Sequence, residues 1–446
     1  MAGTRPASQS THPRSRPVPE PLTFPDRFHW GAATAAHQVE GDNTASDWWQ
    51  WETDPRPQAP MADPSGAACD HFNRYKDDIA LLAELGLNTY RFSVEWARVE
   101  PREGEFDREA LRHYADMADT CLEHGVTPII TLQHFTLPAW VTRAGAWTNP
   151  SLPSWFARYT RHVMEHLESR APYICTINEP GNMITRGYLG TFPTPPFVRS
   201  LDAYDAAAAG VNSAHRAARE IIRELAPGVK VGMAHALQDW HADPGGTPIL
   251  EWARELHEDR FFAETAEDDF LGVQTYTRLD VNAPRALGYV SAALLRSRRL
   301  TQALVVPLLR RNAAAAVPVE GAADGIRRTQ MGYRWAPEAV AATIRRVADL
   351  FPGKEIVITE HGVATEADTE RVDYIRAGLR AVHELIDDGL PVTGYVHWSL
   401  LDNFEWWDGY RPKYGLVAVD RTTQQRAAKP SAHWYGHVAR NNRVRP

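Results

Sequence analysis

Two glutamates stand where apolar runs end. Tyr173-Ile174-Cys175-Thr176-Ile177-Asn178 leads into Glu179 and Pro180, and Glu355-Ile356-Val357-Ile358-Thr359 leads into Glu360. Each run reads as a buried strand, and Pro180 stops further pairing after the first. A carboxylate at the mouth of a buried strand costs free energy unless it is paired or used. Taken singly, each has an ordinary reading as a helix-capping or salt-bridge residue. Taken together at one end of one fold, they could divide acid–base and nucleophilic work on a glycosidic bond.

The rest of the chain has to put them there. Strand patterns recur at 28–36, 88–96, 126–134, 173–178, 230–236, 270–276, 355–360 and 392–399. Helical patterns lie between them. Phe72, Tyr75, Ile79, Leu82 and Leu85 share one face up to Gly86, and Leu111, Tyr114, Met117 and Cys121 repeat the pattern from near Asp107 to Gly125. Further helices are expected at 153–170, 203–225, 250–267, 336–351 with Pro337 at its start, and 369–388 ending at Gly389. Eight strand–helix units without a sign of sheet reversal imply an α/β protein, a (β/α)8 TIM barrel with long βα-loop insertions. Such barrels carry their sites at the C-terminal strand ends. Glu179 ends the fourth strand and Glu360 the seventh, so they should face each other across the mouth.

Composition bounds the function. With 446 residues, 43% hydrophobic and 23% charged, the chain can bury a large core. A net charge of -8 argues against a nucleic-acid partner. The 15 tryptophans supply core, and also flat platforms for sugar faces. Cys69, Cys121 and Cys175 form no CxxC pair and read as buried reduced thiols, which fits a cytoplasmic protein. Residues 1–20, rich in Pro, Ser and Arg, are expected to be a disordered tail without a secretory signal. Residues 21–446 are then one barrel. No stretch is apolar for long enough to span a membrane. His29, His37, His71, His134 and His361 make no HxH or HExxH set, so neither metal nor another cofactor is expected. Self-association is left open.

At this point six motifs, in order, resemble glycoside hydrolase family 1, the retaining β-glucosidase/β-galactosidase family. They are FHWGAATAAHQVEG from Phe28, YRFSVEWARVEP from Tyr90, TLQHFTLPAWV from Thr131, TINEP from Thr176, ITEHG from Ile358 and WSLLDNFEWWDGY from Trp398. The likeness runs from about Phe24 to Tyr435. It implies a retaining exo-β-glycosidase acting through a covalent glycosyl-enzyme. Glu360 would be the nucleophile and Glu179 the acid/base. Asn178 would hold the sugar 2-hydroxyl. Gln38, His134, Glu405 and Trp406 would bind its other hydroxyls, with Trp398 beneath the ring. Arg91 and Tyr276 would flank Glu360, and Tyr333 would lie on the aglycone side. The residues agree with these roles: Arg91 is a fixed cation that should keep Glu360 ionised, and Glu360 should in turn raise the pKa of Glu179. His134 and the tryptophans also have plain readings as strand-end or core residues.

The sequence departs from the family pattern in places. Gln274-Thr275-Tyr276 replaces the usual Asn-Tyr-Tyr, His361 replaces Asn after the nucleophile, and Gly181 follows the NEP run. Phe135, Tyr333 and Tyr414 stand where Trp, Trp and Phe are common. These bear on substrate choice more than on reaction type. Glu405 is kept where relatives that cleave 6-phosphosugars carry a small hydroxyl residue, so an unphosphorylated β-D-glucoside is expected. β-Galactosides, β-fucosides and transglycosylation stay open, and a noncatalytic sugar-binding barrel is the reading from another class. Between Val281 and Val319 lie six arginines (Arg285, Arg296, Arg298, Arg299, Arg310, Arg311) and no acidic residue. Within this insert (281–320), Val290, Leu294, Leu304, Val305 and Leu308 have partly helical spacing, broken at Pro307. It reads either as a solvated insert or as an apolar lining of the aglycone entrance, with an anionic membrane surface as a third option.

Overall fold

Strands buried on both faces need helices outside them and packed side chains within. The computed structural model, which describes residues 20–54, 61–307 and 325–445, meets that need with a TIM barrel. Among the described residues, eight strands of five to seven residues close in parallel: β1 (His29–Ala33), β2 (Thr89–Ser93), β3 (Thr127–Gln133), β4 (Tyr173–Asn178), β5 (Lys230–Ala236), β6 (Phe270–Gln274), β7 (Glu355–His361) and β8 (Val392–Trp398). β8 returns to β1, with Gly394 opposite His29 and Trp398 opposite Ala33. Inside, Ile129, Tyr173, Cys175, Phe270, Val357 and Val396 form a packed plug. The rings of Tyr173 and Phe270 meet edge to face at 5.3 Å.

The barrel helices are α1 (His71–Glu84), α2 (Arg108–Glu123), α3 (Leu152–Leu167), α4 (Leu201–Leu225), α5 (Thr247–His257), α6 (Ala339–Leu350), α7 (Asp368–Asp387) and α8 (Pro430–Asn441). α2 illustrates why they form. Asp107 caps it by accepting from the backbone of Glu109 and Ala110 at 2.8 and 3.1 Å, and Leu111, Tyr114, Met117 and Cys121 make its buried stripe. Gly125, at φ +70°, takes the left-handed turn that ends it.

Several expected boundaries needed correction. The helix expected at 250–267 breaks at Glu258 into α5 and a 3-10 stretch, Asp259–Glu267. Glu258 turns inward there, accepting from Gln238 N and Trp240 Nε1. α6 begins at Ala339, after Pro337 and not on it. β6 ends at Gln274, which leaves Tyr276 just beyond the strand. The insert after β6 is helical over Arg285–Arg296, is interrupted at Ser297 and turns helical again from Arg298; the residues that follow Pro307, on which the expected break there depends, lie outside the described residues.

The described part of that insert is tied down. Arg298 pairs with Asp202 at 2.6 Å and Asp205 at 2.5 Å, and Gln302 accepts from Leu201 N at 2.7 Å. Val290 and Leu304, placed on its apolar side by the sequence, are exposed. Leu308, Arg310 and Arg311 lie outside the described residues, as do residues 1–19 of the expected tail. Cys69, Cys121 and Cys175 are buried and free. Among the described residues, no helix is long and apolar enough to cross a membrane.

Candidate active site

Simple alternation would turn two key side chains the wrong way. In β4, Tyr173 and Cys175 point into the barrel and Ile174 points out, so Asn178 should also face out. The pairing with β5 slips between them: Cys175 lies opposite Gly232 and Asn178 opposite Ala234. In β7, Val357 points in and Ile356 and Ile358 point out, and a register shift follows Ile358. Both slips turn a polar side chain into the mouth. Glu179 sits one residue past β4 in the left-handed region (φ +45°), its N–H held by Ala234 O at 2.7 Å. For a glutamate this conformation costs about 1–3 kcal/mol, and the turn it makes opens the helix Pro180–Leu189.

Arg91 organises the floor from β2. Fully buried, it donates to Glu360 Oε1 at 2.6 Å, Asn178 Oδ1 at 2.6 Å and Thr131 Oγ1 at 3.1 Å. Tyr276 OH donates to Glu360 Oε2 at 2.6 Å. Both carboxylate oxygens of Glu360 are thereby engaged. Gln274, which the sequence marks only as a departure bearing on substrate choice, places Nε2 2.8 Å from Asn178 Oδ1 and 3.0 Å from Glu360 Oε1. Its position at a strand end, beside Tyr276, was the available signal. Asn182, also missed, donates to Glu179 Oε2 at 2.9 Å from the next helical turn.

Two donors on Asn178 Oδ1 fix that amide, so its Nδ2 faces His134 Nε2 at 3.2 Å. His134 therefore accepts at Nε2 and carries its proton on Nδ1, which has no partner among the described residues. Burial, aided by Arg91, holds its pKa well below the usual value, so the ring is neutral. That ring lies 5.9 Å from Trp398 at 18°. Trp398 Nε1 donates to Glu405 Oε1 at 3.2 Å. Gln38 Nε2 is used by Asn403 Oδ1 and Phe404 O at 3.0 and 2.7 Å, which leaves its buried Oε1 as an acceptor without a partner among the described residues. Trp406 stacks on His37 at 5.5 Å and meets Phe135 edge-on at 5.2 Å. Tyr333 is half-buried near Glu179, and Tyr414 packs against Tyr276 at 6.0 Å.

The two glutamates differ electrostatically. Burial and the charge of Glu360 push the Glu179 carboxyl up to about 7, against the Asn182 hydrogen bond and the more distant arginines. Burial also raises Glu360, but the Arg91 cation and the Tyr276 hydrogen bond oppose it directly. Of two coupled carboxyls, the one in contact with a cation ionises first. Glu405 is pushed well above the usual carboxylate range, mainly by burial.

Two departures from the family pattern gain physical reasons. A Cβ on Gly181 would lie 1.7 Å from the carbonyl of His257, so the helix bearing Glu179 approaches α5 too closely for any other residue. His361 points away from the mouth, bonded to Tyr395 OH at 2.6 Å, into space left by Gly378.

A barrel with two buried, coupled carboxylates and a ring of polar and indole groups at its C-terminal mouth defines a sugar-cleaving hydrolase site. The family model for glycosyl hydrolase family 1 matches residues 20–265 and 252–444. Curated relatives include β-glucosidase A of Thermotoga maritima, 30% identical over 94% of this chain and 98% of its own length. A bifunctional β-D-glucosidase/β-D-fucosidase of Bifidobacterium breve is 32% identical over 93% and 97%. Among solved structures, β-glycosidase BGL167 superposes with a TM-score of 0.80 at 38% identity, covering 94% of this chain and 97% of that one. The T. maritima β-glucosidase bound to deoxynojirimycin gives 0.79 at 28% identity, covering 95% and 100%. The chain belongs to glycosyl hydrolase family 1 and is a β-glucosidase-like glycosyl hydrolase.

Proposed function

We propose that the protein hydrolyses unphosphorylated β-D-glucosides with retention, through a glycosyl-enzyme on Glu360. The asymmetry between the carboxylates carries this reading. Glu360, against Arg91, is the anion suited to attack the anomeric carbon. Glu179, at about 7, is the carboxyl that still holds a proton near neutrality and can give it to the departing oxygen. Once Glu360 is esterified its negative charge is gone. The Glu179 pKa then falls, and Glu179 can take a proton from the water that releases the sugar. The anomeric oxygen is exchanged, and the leaving alcohol keeps the glycosidic oxygen.

The sugar contacts follow from the free hydrogen-bonding capacity. Gln38 Oε1 accepts and His134 Nδ1–H donates to ring hydroxyls. Asn178 takes the 2-hydroxyl, Trp398 lies under the ring, and Glu405 with Trp406 meets hydroxyls at carbons 4 and 6. The acid of Glu405 offers a 6-phosphate no cation and stands where relatives that cleave 6-phosphosugars carry a small hydroxyl residue, which supports the unphosphorylated sugar. Glucose is favoured because the relatives are named β-glucosidases, one of them also a β-fucosidase. The free buried cysteines suit a reducing compartment, and cytoplasmic location belongs to the same reading. NMR of the first-formed sugar from a β-glucoside is the test. A β-anomer is expected, and an α-anomer overturns retention.

A further inference from the structure

Arg186 is a half-buried cation without a carboxylate. Arg91, Arg219 and Arg371, which are fully buried, each contact an acidic side chain. The guanidinium of Arg186 has no ion pair or hydrogen bond among the described residues. Its one described contact is with an indole face, Cζ lying 5.5 Å from the Trp407 ring centroid. The acidic groups around it are already engaged. Glu179 accepts from Asn182, Asp408 pairs with Arg411, and Glu405 accepts from Trp398. A half-buried cation with no anionic partner among the described residues keeps its charge available to an anionic ligand.

Its position says which ligand. Glu179, Asn182 and Arg186 follow at helical spacing along one face of Pro180–Leu189. Arg186 therefore stands beyond the acid/base, on the side where the leaving group departs. The pKa of Glu179, raised by burial and by Glu360, is pulled back by Asn182 and then by Arg186 ahead of Arg91, which agrees with that closeness. Tyr333, raised by burial, is lowered by Arg186 before it feels Glu179, Asp408 or Glu405. Half-buried aromatics border the cation: Trp407, anchored through Nε1 to the carbonyl of Pro193, Phe192 against it at 4.3 Å, and Tyr333.

We propose that Arg186 makes the leaving-group side a receptor for an anionic aglycone, a β-glycoside whose aglycone carries a carboxylate on a flat aromatic frame. The guanidinium supplies a planar fork for the carboxylate, and the neighbouring rings supply faces for the frame. A neutral sugar as aglycone leaves this cation unanswered. The inference rests on the β-glucosidase reading for the position of the leaving group.

The test compares 4-carboxyphenyl β-D-glucoside with its methyl ester. The ratio of their kcat/KM values is measured in the native protein, Arg186→Leu and Arg186→Lys. Differences in leaving-group quality cancel, because the same pair is compared in each variant. The native protein should favour the carboxylate. Arg186→Leu should lower the ratio by roughly tenfold or more, and Arg186→Lys should keep part of it. An unchanged ratio in Arg186→Leu overturns the proposal. If the alkaline limb of the pH profile moves while the ratio does not, Arg186 serves only as a charge beside Glu179, and the proposal also falls. Failure of the native protein to cleave either glucoside would overturn the hydrolase reading instead. Calorimetric binding of the two compounds then decides the preference without turnover, and equal affinity overturns it.

Discussion

Gln274 Nε2 lies 3.0 Å from Glu360 Oε1, while Tyr276 OH bonds the other oxygen of the same carboxylate at 2.6 Å. Both donate to the ionised carboxylate, one to each oxygen. Gln274→Ala removes a donor from both Glu360 and Asn178. Loss of a donor to the ionised form raises the Glu360 pKa, so the acid limb of the kcat/KM profile should move to higher pH. The rate on a β-glucoside should fall roughly tenfold, the worth of one hydrogen bond to a charged group. An acid limb that stays where it was would remove Gln274 from the support of the nucleophile.

Glu179 links activity to stability through pH. With its carboxyl at about 7 in the folded protein and a usual value of 4.5, the folded state binds more protons between those two pH values. Its contribution is therefore fully present below pH 4.5 and is lost as pH rises through 7. Glu179→Gln removes the titration. It should stabilise the fold by about 3 kcal/mol at pH 8 relative to its effect at pH 4. Denaturant midpoints at the two pH values measure this. Equal effects at both would mean that Glu179 titrates normally.

How far the site was legible follows from the same residues. The strands were readable because β4 and β7 are unbroken apolar runs, and the outer helices because Leu111, Tyr114, Met117 and Cys121 repeat at one spacing. Glu179 and Glu360 were conspicuous as charges ending such runs. The turns that aim them were not legible. Alternation sends Asn178 and Glu360 outward, and only pairing slips with β5 and β6 bring them in. Register is set by neighbours distant in sequence, so local pattern carries no trace of it. Gln274 escaped for a related reason. As a departure from the usual Asn it bore on specificity, and its two partners come from β4 and β7. The break at Glu258 was hidden because the helical pattern continues through Phe261 and Phe262, while Trp240 and Gln238 draw the carboxylate inward.

Glu405 tests the sugar. Its link to Trp398 at 3.2 Å keeps it at the mouth. If it accepts from the hydroxyls at carbons 4 and 6, Glu405→Ala should weaken glucoside cleavage more than fucoside cleavage, because fucose lacks the 6-hydroxyl. A several-fold difference in the two losses of kcat/KM is expected, about the worth of one hydrogen bond. Identical losses would take Glu405 away from carbon 6.

The residue after Glu360 is kept by a glycine on another element. A Cβ on Gly378 of α7 would lie 2.6 Å from Cε1 of His361. The ring cannot swing away freely: Tyr395 OH holds Nδ1 at 2.6 Å and Tyr374 stacks on it at 4.9 Å. Glycine within a helix normally costs about 1 kcal/mol relative to alanine, so Gly378→Ala would ordinarily stabilise. Here it should destabilise by about 1–3 kcal/mol, the cost of overpacking against a fixed ring. Adding His361→Asn, the residue usual in the family, should return most of that loss, because the smaller side chain frees the space. Urea midpoints of the two single variants and the double variant give the coupling directly. If Gly378→Ala alone stabilises the protein, the contact is soft and the two positions are independent.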